Sequence, residues 1–130
     1  MTVEHAMMVK ALSKSGKDIL ESLTPGKIEM WHHASCIQGE AGELFDAVKK
    51  HIIYNKPMTV EMLDHIIEEF GDLEFYLEGL RQAIGIAREQ TLNANIAKLS
   101  KRYQAGTYSD KAAQERADKV PAKTYQTLSD

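Results

Sequence analysis

Four carboxylate residues occur in two short motifs of the same length. These are Glu40-x-x-Glu43 and Glu69-x-x-Asp72, and each places its two acids about one helical turn apart, beside apolar residues. Carboxylates at the edge of a hydrophobic core repel one another and lose contact with water, so a cation is needed to offset both costs. The two motifs therefore predict a metal site.

Helical phase places the two motifs in equivalent positions. At about 100° per residue, Glu40 borders an apolar stripe that includes Ala47, and Glu69 borders one that includes Leu73. The short connection at residues 55–58 makes the two helices antiparallel neighbours, so the acids can face each other across one groove. A set of oxygen donors favours Mg²⁺, and Mn²⁺ could take its place.

The spacing of apolar residues predicts an all-α protein, because they recur at intervals of three and four and strand signals are scarce. We expect an antiparallel helical bundle of about four main helices plus a short C-terminal helix. The expected ranges are about 3–23, 28–53, 60–84 and 86–103, then a short piece capped by Ser109 and ending at about Lys119. The first helix is expected to turn these side chains inward: Met7, Met8, Ala11, Leu12, Ile19 and Leu23.

Length and composition indicate one domain. The chain has 130 residues, of which 43% are hydrophobic. We expect the domain to cover residues 1–119, with residues 120–130 forming a tail that is frayed or docked on a partner chain. The formal net charge of −3 gives no basic stripe, so nucleic acid is not an expected partner.

The sequence also bears on localisation. A single cysteine, Cys36, cannot form an internal disulfide framework, which fits a reducing cytoplasm. Glu4, His5 and Lys10 interrupt the N-terminal segment, so it lacks the apolar stretch of a signal peptide, and no other stretch reaches transmembrane length. We therefore expect a soluble cytoplasmic protein with no membrane partner.

The carboxylate motifs and their surroundings resemble those of the MazG-like all-α nucleoside triphosphate pyrophosphohydrolases. The resemblance rests on GEAGEL at 39–44, EEFGDL at 68–73, DAVKK at 46–50, IYNKP at 53–57, NIAKL at 95–99, and Arg102-Tyr103. It covers roughly residues 31–119 and is similar to the small, single-domain members often carried by bacteriophages. A phage-encoded protein would work in the host cytoplasm.

The resemblance implies hydrolysis of a nucleoside or deoxynucleoside triphosphate between the α- and β-phosphates, giving the monophosphate and pyrophosphate. It implies that Glu40, Glu43, Glu69 and Asp72 are the catalytic residues and hold Mg²⁺, which would neutralise the triphosphate and lower the pKa of the attacking water. A nearby carboxylate would accept the proton, and the residues leave open which one. Glu68 directly precedes Glu69 and forms an acidic pair with it. It could be catalytic, contact a metal ligand rather than the metal, or face solvent.

The resemblance also implies substrate contacts. Lys98 and Arg102 lie four residues apart and would hold the triphosphate, although basic residues also complement the end of a helix. Tyr76 would form a wall for the base or sugar, or else be a packing residue. Asn95 would bond a base edge or a sugar hydroxyl, or else face solvent.

Several further residues have weaker claims to the site. Lys50 and Lys56 flank the connection between the two acidic helices, and Trp31 could stack on a base, although packing is its favoured role. Tyr103 belongs to the Arg102-Tyr103 segment that resembles the MazG-like family. His33 and Cys36 are three residues apart, but no other cysteine supports a soft-metal site.

Two other functions could also use acids that face inward from helices. A ferritin-like di-iron site needs two Glu-x-x-His units, and the chain has only Glu29-x-x-His32. A noncatalytic helical adaptor or regulatory protein could bind a basic partner through the same acidic groove, but it would not need Lys98 and Arg102. Four helices leave Phe45 and other apolar residues uncovered, so a homodimer or homotetramer is expected.

Overall fold

The computed structural model of the protein describes residues 2–119, with side chains described from residue 4 onward. Within this part of the chain all regular structure is helical, which confirms the all-α prediction and its short C-terminal helix. The helices are α1 (Thr2–Leu12), α2 (Gly16–Ser22), α3 (Pro25–Ile52), α4 (Val60–Ile84), α5 (Arg88–Arg102) and α6 (Asp110–Glu115). None of the helices in the described range is long and apolar enough to cross a membrane.

The two long helices, α3 and α4, begin and end at local signals. The Thr24 hydroxyl accepts a hydrogen bond from the Lys27 N–H, and Pro25 occupies the first turn of α3. After α3 the chain turns through Asn55, whose φ of 49° lies in the left-handed region. The Thr59 hydroxyl then accepts from the Met62 N–H at the start of α4. The two helices pack antiparallel, as the short connection predicted.

The expected first helix is wrong as a single element, because it divides into α1 and α2. The Ser15 hydroxyl accepts a hydrogen bond from the Asp18 N–H and caps α2, which begins at Gly16. A serine cap followed by glycine favours this break over a continuous helix. The expected inward packing is wrong for Met7, which is 67% exposed, and for Leu12, which is 77% exposed, whereas Leu23 is half-buried. The final helix is shorter than expected and ends at Glu115.

The described chain forms two compact units, one ending at Ile84 and the other beginning at Gly85. Gly85 has a φ of 82°, a conformation that ends α4 with little strain only for glycine. In the second unit α5 packs with α6. One domain over residues 1–119 stays a prediction, and the predicted tail, residues 120–130, lies outside the described residues.

The centre of the first unit is the contact between α3 and α4. Ala47, at 1% exposure, and Ile66, at 8%, are its buried apolar side chains among the described residues. Ile66 lies three residues before Glu69, so the same contact that closes the core also fixes the turn that carries this acid.

Shortening Ile66 tests how much this contact stabilises the first unit. We expect Ile66→Ala to lower the free energy of unfolding by about 2–4 kcal/mol and Ile66→Val by about 0.5–1.5 kcal/mol, because buried methyl groups are lost and a cavity remains. Urea denaturation followed by circular dichroism measures both. If both variants unfolded at the wild-type urea concentration, Ile66 would not be a core residue.

Candidate metal centre

Three of the four motif acids converge between α3 and α4. Glu40 and Glu43 come from α3 and Glu69 from α4, and one oxygen from each lies within 4.8 Å of the other two. Glu69 is only 5% exposed, whereas Glu40 is half-buried and Glu43 is exposed. The cluster is therefore buried at its α4 side and open to solvent at its α3 side.

The charges of this cluster are poorly compensated by the described protein groups. Burial raises the pKa of Glu40, and the neighbouring charges of Glu43, Asp72 and Glu69 raise it further. The Oε2 atom of Glu69 is buried and has no hydrogen-bond partner among the described residues. A buried carboxylate oxygen without a partner is costly, and a bound cation would remove that cost. The donor set, all carboxylate oxygen, fits a hard divalent cation.

The fourth motif acid, Asp72, and the neighbouring Glu68 lie outside this group of three. Asp72 is exposed, and its charge contributes to the raised pKa of Glu40. Its role as a metal ligand stays a prediction. Glu68 is exposed, and its role stays a prediction.

Aromatic and imidazole rings line α3 and α4 next to the acids. The Tyr76 ring centroid lies 6.1 Å from those of both His32 and His33. A hydrogen bond with Cys36 raises the pKa of Tyr76, and burial and the charges of Glu40 and Asp72 raise it further. Tyr76 is half-buried, so part of its surface is open for a ligand, and its role beside a base or sugar stays a prediction.

Two features of this region were not foreseen from the sequence. The Nδ1 atom of His65 lies 3.4 Å from Glu69 Oε1, a contact that the four-residue spacing on α4 could have indicated. Gly79 packs against the imidazole of His33 so closely that a Cβ at this position would lie 2.6 Å from His33 Nδ1. This contact depends on the packing of two helices, which residue spacing on one helix does not reveal.

The weaker candidates of the first unit have other contacts. Lys50 lies 3.0 Å from the carboxylate of Asp46, which also pairs with a second lysine. The backbone carbonyl of Lys56 lies 2.6 Å from His51 Nδ1. Trp31 is 68% exposed and lines a cavity of about 320 Å³ with Ile19, Leu23 and Ile28. These apolar neighbours favour packing for Trp31 over a base-stacking role.

The predicted substrate-binding residues of α5 belong to the second unit. Asn95 and Lys98 line a shallow cavity of about 420 Å³. Arg102 makes two hydrogen bonds to Asp118, with Nε donating to Oδ1 at 2.7 Å and Nη2 donating to Oδ2 at 3.0 Å. The Tyr103 ring lies 5.8 Å from that of Tyr108. The guanidinium of Arg102 thus binds a carboxylate of its own unit through two N–H groups, as it would bind a phosphate.

The Arg102–Asp118 pair predicts an acid-dependent loss of stability in the second unit. The guanidinium of Arg102 lowers the pKa of Asp118 from 3.8 to about 2, and the Asp118 side chain is 1% exposed. A lowered pKa stabilises the fold above about pH 4, and this contribution disappears as the pH falls from 3.8 towards 2. We expect Asp118→Asn to unfold more easily than wild type at pH 7, and the difference to vanish near pH 2.

Thermal unfolding followed by circular dichroism between pH 2 and pH 7 measures this effect. Glu115→Gln is the matched control, because Glu115 is exposed and pairs weakly with Lys111 at 3.8 Å. A constant difference between Asp118→Asn and wild type over the whole pH range would contradict the assignment.

Comparison with models of known protein families found a match that covers the cluster. The MazG nucleotide pyrophosphohydrolase domain matches residues 32–107, more than half of the chain, and this stretch includes all four motif acids as well as Lys98 and Arg102. Searches among curated proteins and among solved structures found no match. With its all-α fold and its acids gathered between α3 and α4, the chain belongs to the MazG nucleotide pyrophosphohydrolase domain family.

Proposed function

We propose that the protein is a Mg²⁺-dependent hydrolase that cleaves a nucleoside or deoxynucleoside triphosphate between its α- and β-phosphates. The products are the nucleoside monophosphate and pyrophosphate. The observation that carries this proposal is the buried Oε2 of Glu69, which has no hydrogen-bond partner in the described part of the chain, within a cluster of three carboxylates. Membership of the MazG family supports nucleotide pyrophosphohydrolase activity.

In this proposal Glu40, Glu43, Glu69 and Asp72 hold Mg²⁺, or Mn²⁺ in its place. When bound, the metal supplies positive charge to the triphosphate and lowers the pKa of a water molecule. The four carboxylates would hold the cation, and one of them would take the proton that the attacking water releases.

Residues outside the cluster bind the rest of the substrate. Lys98 is proposed to contact the triphosphate as a point charge, and Asn95 and Tyr76 to contact the base or sugar. Arg102 would contact phosphate by exchanging Asp118 for a phosphate oxygen, since both present oxygen atoms to its fork. Lys50, Lys56, Trp31, Tyr103 and Glu68 remain secondary candidates.

Lys98→Ala tests the proposed phosphate contact. We expect kcat/KM to fall about tenfold to a hundredfold, because one charge-assisted contact to phosphate is lost. Lys101→Ala is the matched control, since Lys101 is an exposed lysine of the same helix. Helicity should be unchanged in both variants. A collapse of the circular dichroism signal in Lys98→Ala would mark Lys98 as a structural residue instead.

A homodimer or homotetramer is proposed as the working form. Many large apolar side chains of the described chain are exposed, among them Phe45 at 68%, Ile52 at 65% and Phe75 at 67%. Such surfaces are typical of chains that associate. The cytoplasm is proposed as the compartment, and it would be the host cytoplasm if a phage encodes the protein.

The proposed activity can be tested directly with the common ribo- and deoxynucleoside triphosphates. The purified protein is incubated with each one, with Mg²⁺ or with a chelator, and nucleotides are separated by ion-exchange chromatography. We expect Mg²⁺-dependent consumption of at least one nucleotide, lost in Glu43→Gln and retained in Glu74→Gln, whose side chain is an exposed acid of α4. Consumption of none, with binding of a basic partner protein lost in Glu43→Gln, would favour the adaptor function.

A further inference from the structure

Beyond the cluster of Glu40, Glu43 and Glu69, helices α3 and α4 line a cavity of about 530 Å³. It is lined mainly by Glu29, His33, Phe75, Glu78, Gly79 and Gln82. This volume is within the range of small-molecule sites in proteins. All of its lining residues belong to the first unit.

The cavity continues the groove that holds the acid cluster. His33 lies seven residues before Glu40 on α3, and Gly79 lies seven residues after Asp72 on α4. Seven residues complete about two helical turns, so these positions share a face with the acids and lie about 10 Å further along the helices. A ligand with phosphates at the cluster would place its other end in this cavity.

The inner wall of the cavity is the contact between His33 and Gly79. The imidazole occupies space that any side chain at position 79 would fill. The Nδ1 atom of His33 is buried and has no hydrogen-bond partner among the described residues. The wall therefore combines the flat imidazole ring of His33 with a ring nitrogen that makes no hydrogen bond to the described residues.

The rim of the cavity presents hydrogen-bond acceptors. Glu29 contributes a carboxylate. The Nε2–H of Gln82 donates to Glu78 Oε1 at 2.9 Å, and the Oε1 atom of Gln82 is an acceptor. Arg81 Nε also donates to Glu78, at 3.0 Å. Two carboxylates, Glu29 and Glu78, outnumber the one guanidinium of Arg81 at this end, and this balance favours a nucleotide with its base here and its phosphates at the cluster.

We propose that this cavity, bounded by Glu29, His33 and Gln82, binds the base of the substrate and prefers bases that carry an exocyclic amino group. An amino group donates to a carboxylate, as cytosine N4 does to glutamate, whereas a carbonyl at the same position faces it with a second acceptor. This inference rests on the proposed function, because it takes the acid cluster as the site of the phosphates.

The test compares nucleoside monophosphates that differ at the amino position, measured by isothermal titration calorimetry on the full chain with Mg²⁺. The pairs are dCMP against dUMP and dAMP against dIMP. We expect wild type to bind the amino member of each pair at least about tenfold more tightly. Glu29→Gln should reduce this ratio to near one, and Glu74→Gln, a matched exposed acid of α4, should keep it.

Equal binding within both pairs would overturn the proposal, and so would no binding of any of the four, or a Glu29→Gln protein that kept the wild-type ratio. Circular dichroism and light scattering of Glu29→Gln exclude a change of fold or assembly as the cause of an altered ratio. The binding ratio is independent of turnover. A protein that discriminated between the pairs but hydrolysed no triphosphate would sink the proposed function and leave this base site standing.

Discussion

Glu69→Gln is expected to lower kcat/KM for nucleotide hydrolysis by at least about a hundredfold, the effect of removing one charged group that stabilises a transition state. Glu69 is the most buried acid of the cluster, and its Oε2 has no partner among the described residues. A neutral amide at this position would also weaken the binding of Mn²⁺, because one anionic ligand is lost. Titration calorimetry with Mn²⁺ and initial-rate kinetics measure the two effects separately.

The same variant should be at least as stable as wild type when a chelator is present. Without a cation, Glu69 is close to the like charges of Glu40 and Glu43, and its buried Oε2 has no partner within residues 4–119. An amide removes the repulsion, so the unfolding temperature should stay constant or rise while activity falls. This opposition between stability and activity is typical of a functional site. A loss of both would mean that Glu69 is a structural residue, and the metal assignment would fail.

Phe45→Asp is expected to convert the assembled protein into monomers. Phe45 is 68% exposed in the single chain, on the long helix α3 that also carries two of the acids. Placing a charge in a buried contact between copies costs far more than placing it in water, so the dissociation constant should rise at least about a hundredfold. Multi-angle light scattering should show the wild-type mass at a multiple of 14.6 kDa and the variant at 14.6 kDa.

Gln38→Asp provides a matched control, since Gln38 is an exposed polar residue of the same helix. It should keep the wild-type mass, and both variants should keep wild-type helicity. A wild-type protein that ran as a monomer at every concentration tested would contradict the proposed assembly. The apolar side chains of α3 and α4 would then need another partner.

Helical periodicity was enough to find the helix pair and most of its acids. The bounds of α4, Val60–Ile84, agree with the predicted range, and helical phase together with the short connection indicated that Glu40 and Glu69 would face each other. Both depend on local signals: a cap or a turn residue at each helix end, and a fixed rotation per residue within it. These signals lie within a few residues of the helix end or the side chain that they determine.

The remaining features depend on contacts between distant residues or on competition between local signals. Asp118 binds Arg102 across 16 positions of sequence, and no periodic pattern links them. The close packing of His33 on Gly79 depends on the axial offset between α3 and α4, which residue spacing on either helix does not give. At Ser15, a side-chain cap prevailed over an apolar pattern that continued through it. Met7 and Leu12 of α1 were expected to face inward, but no described element covers them in the single chain.

The central claim is hydrolysis between the α- and β-phosphates at the carboxylate cluster, and the products of a single nucleotide test it most directly. A triphosphate consumed in the panel is incubated with the wild-type protein and Mg²⁺, and ³¹P NMR follows the reaction. The expected result is nucleoside monophosphate and pyrophosphate in equal amounts, with no reaction in Glu69→Gln. Nucleoside diphosphate and orthophosphate would place the cleavage at the wrong bond and contradict the proposal.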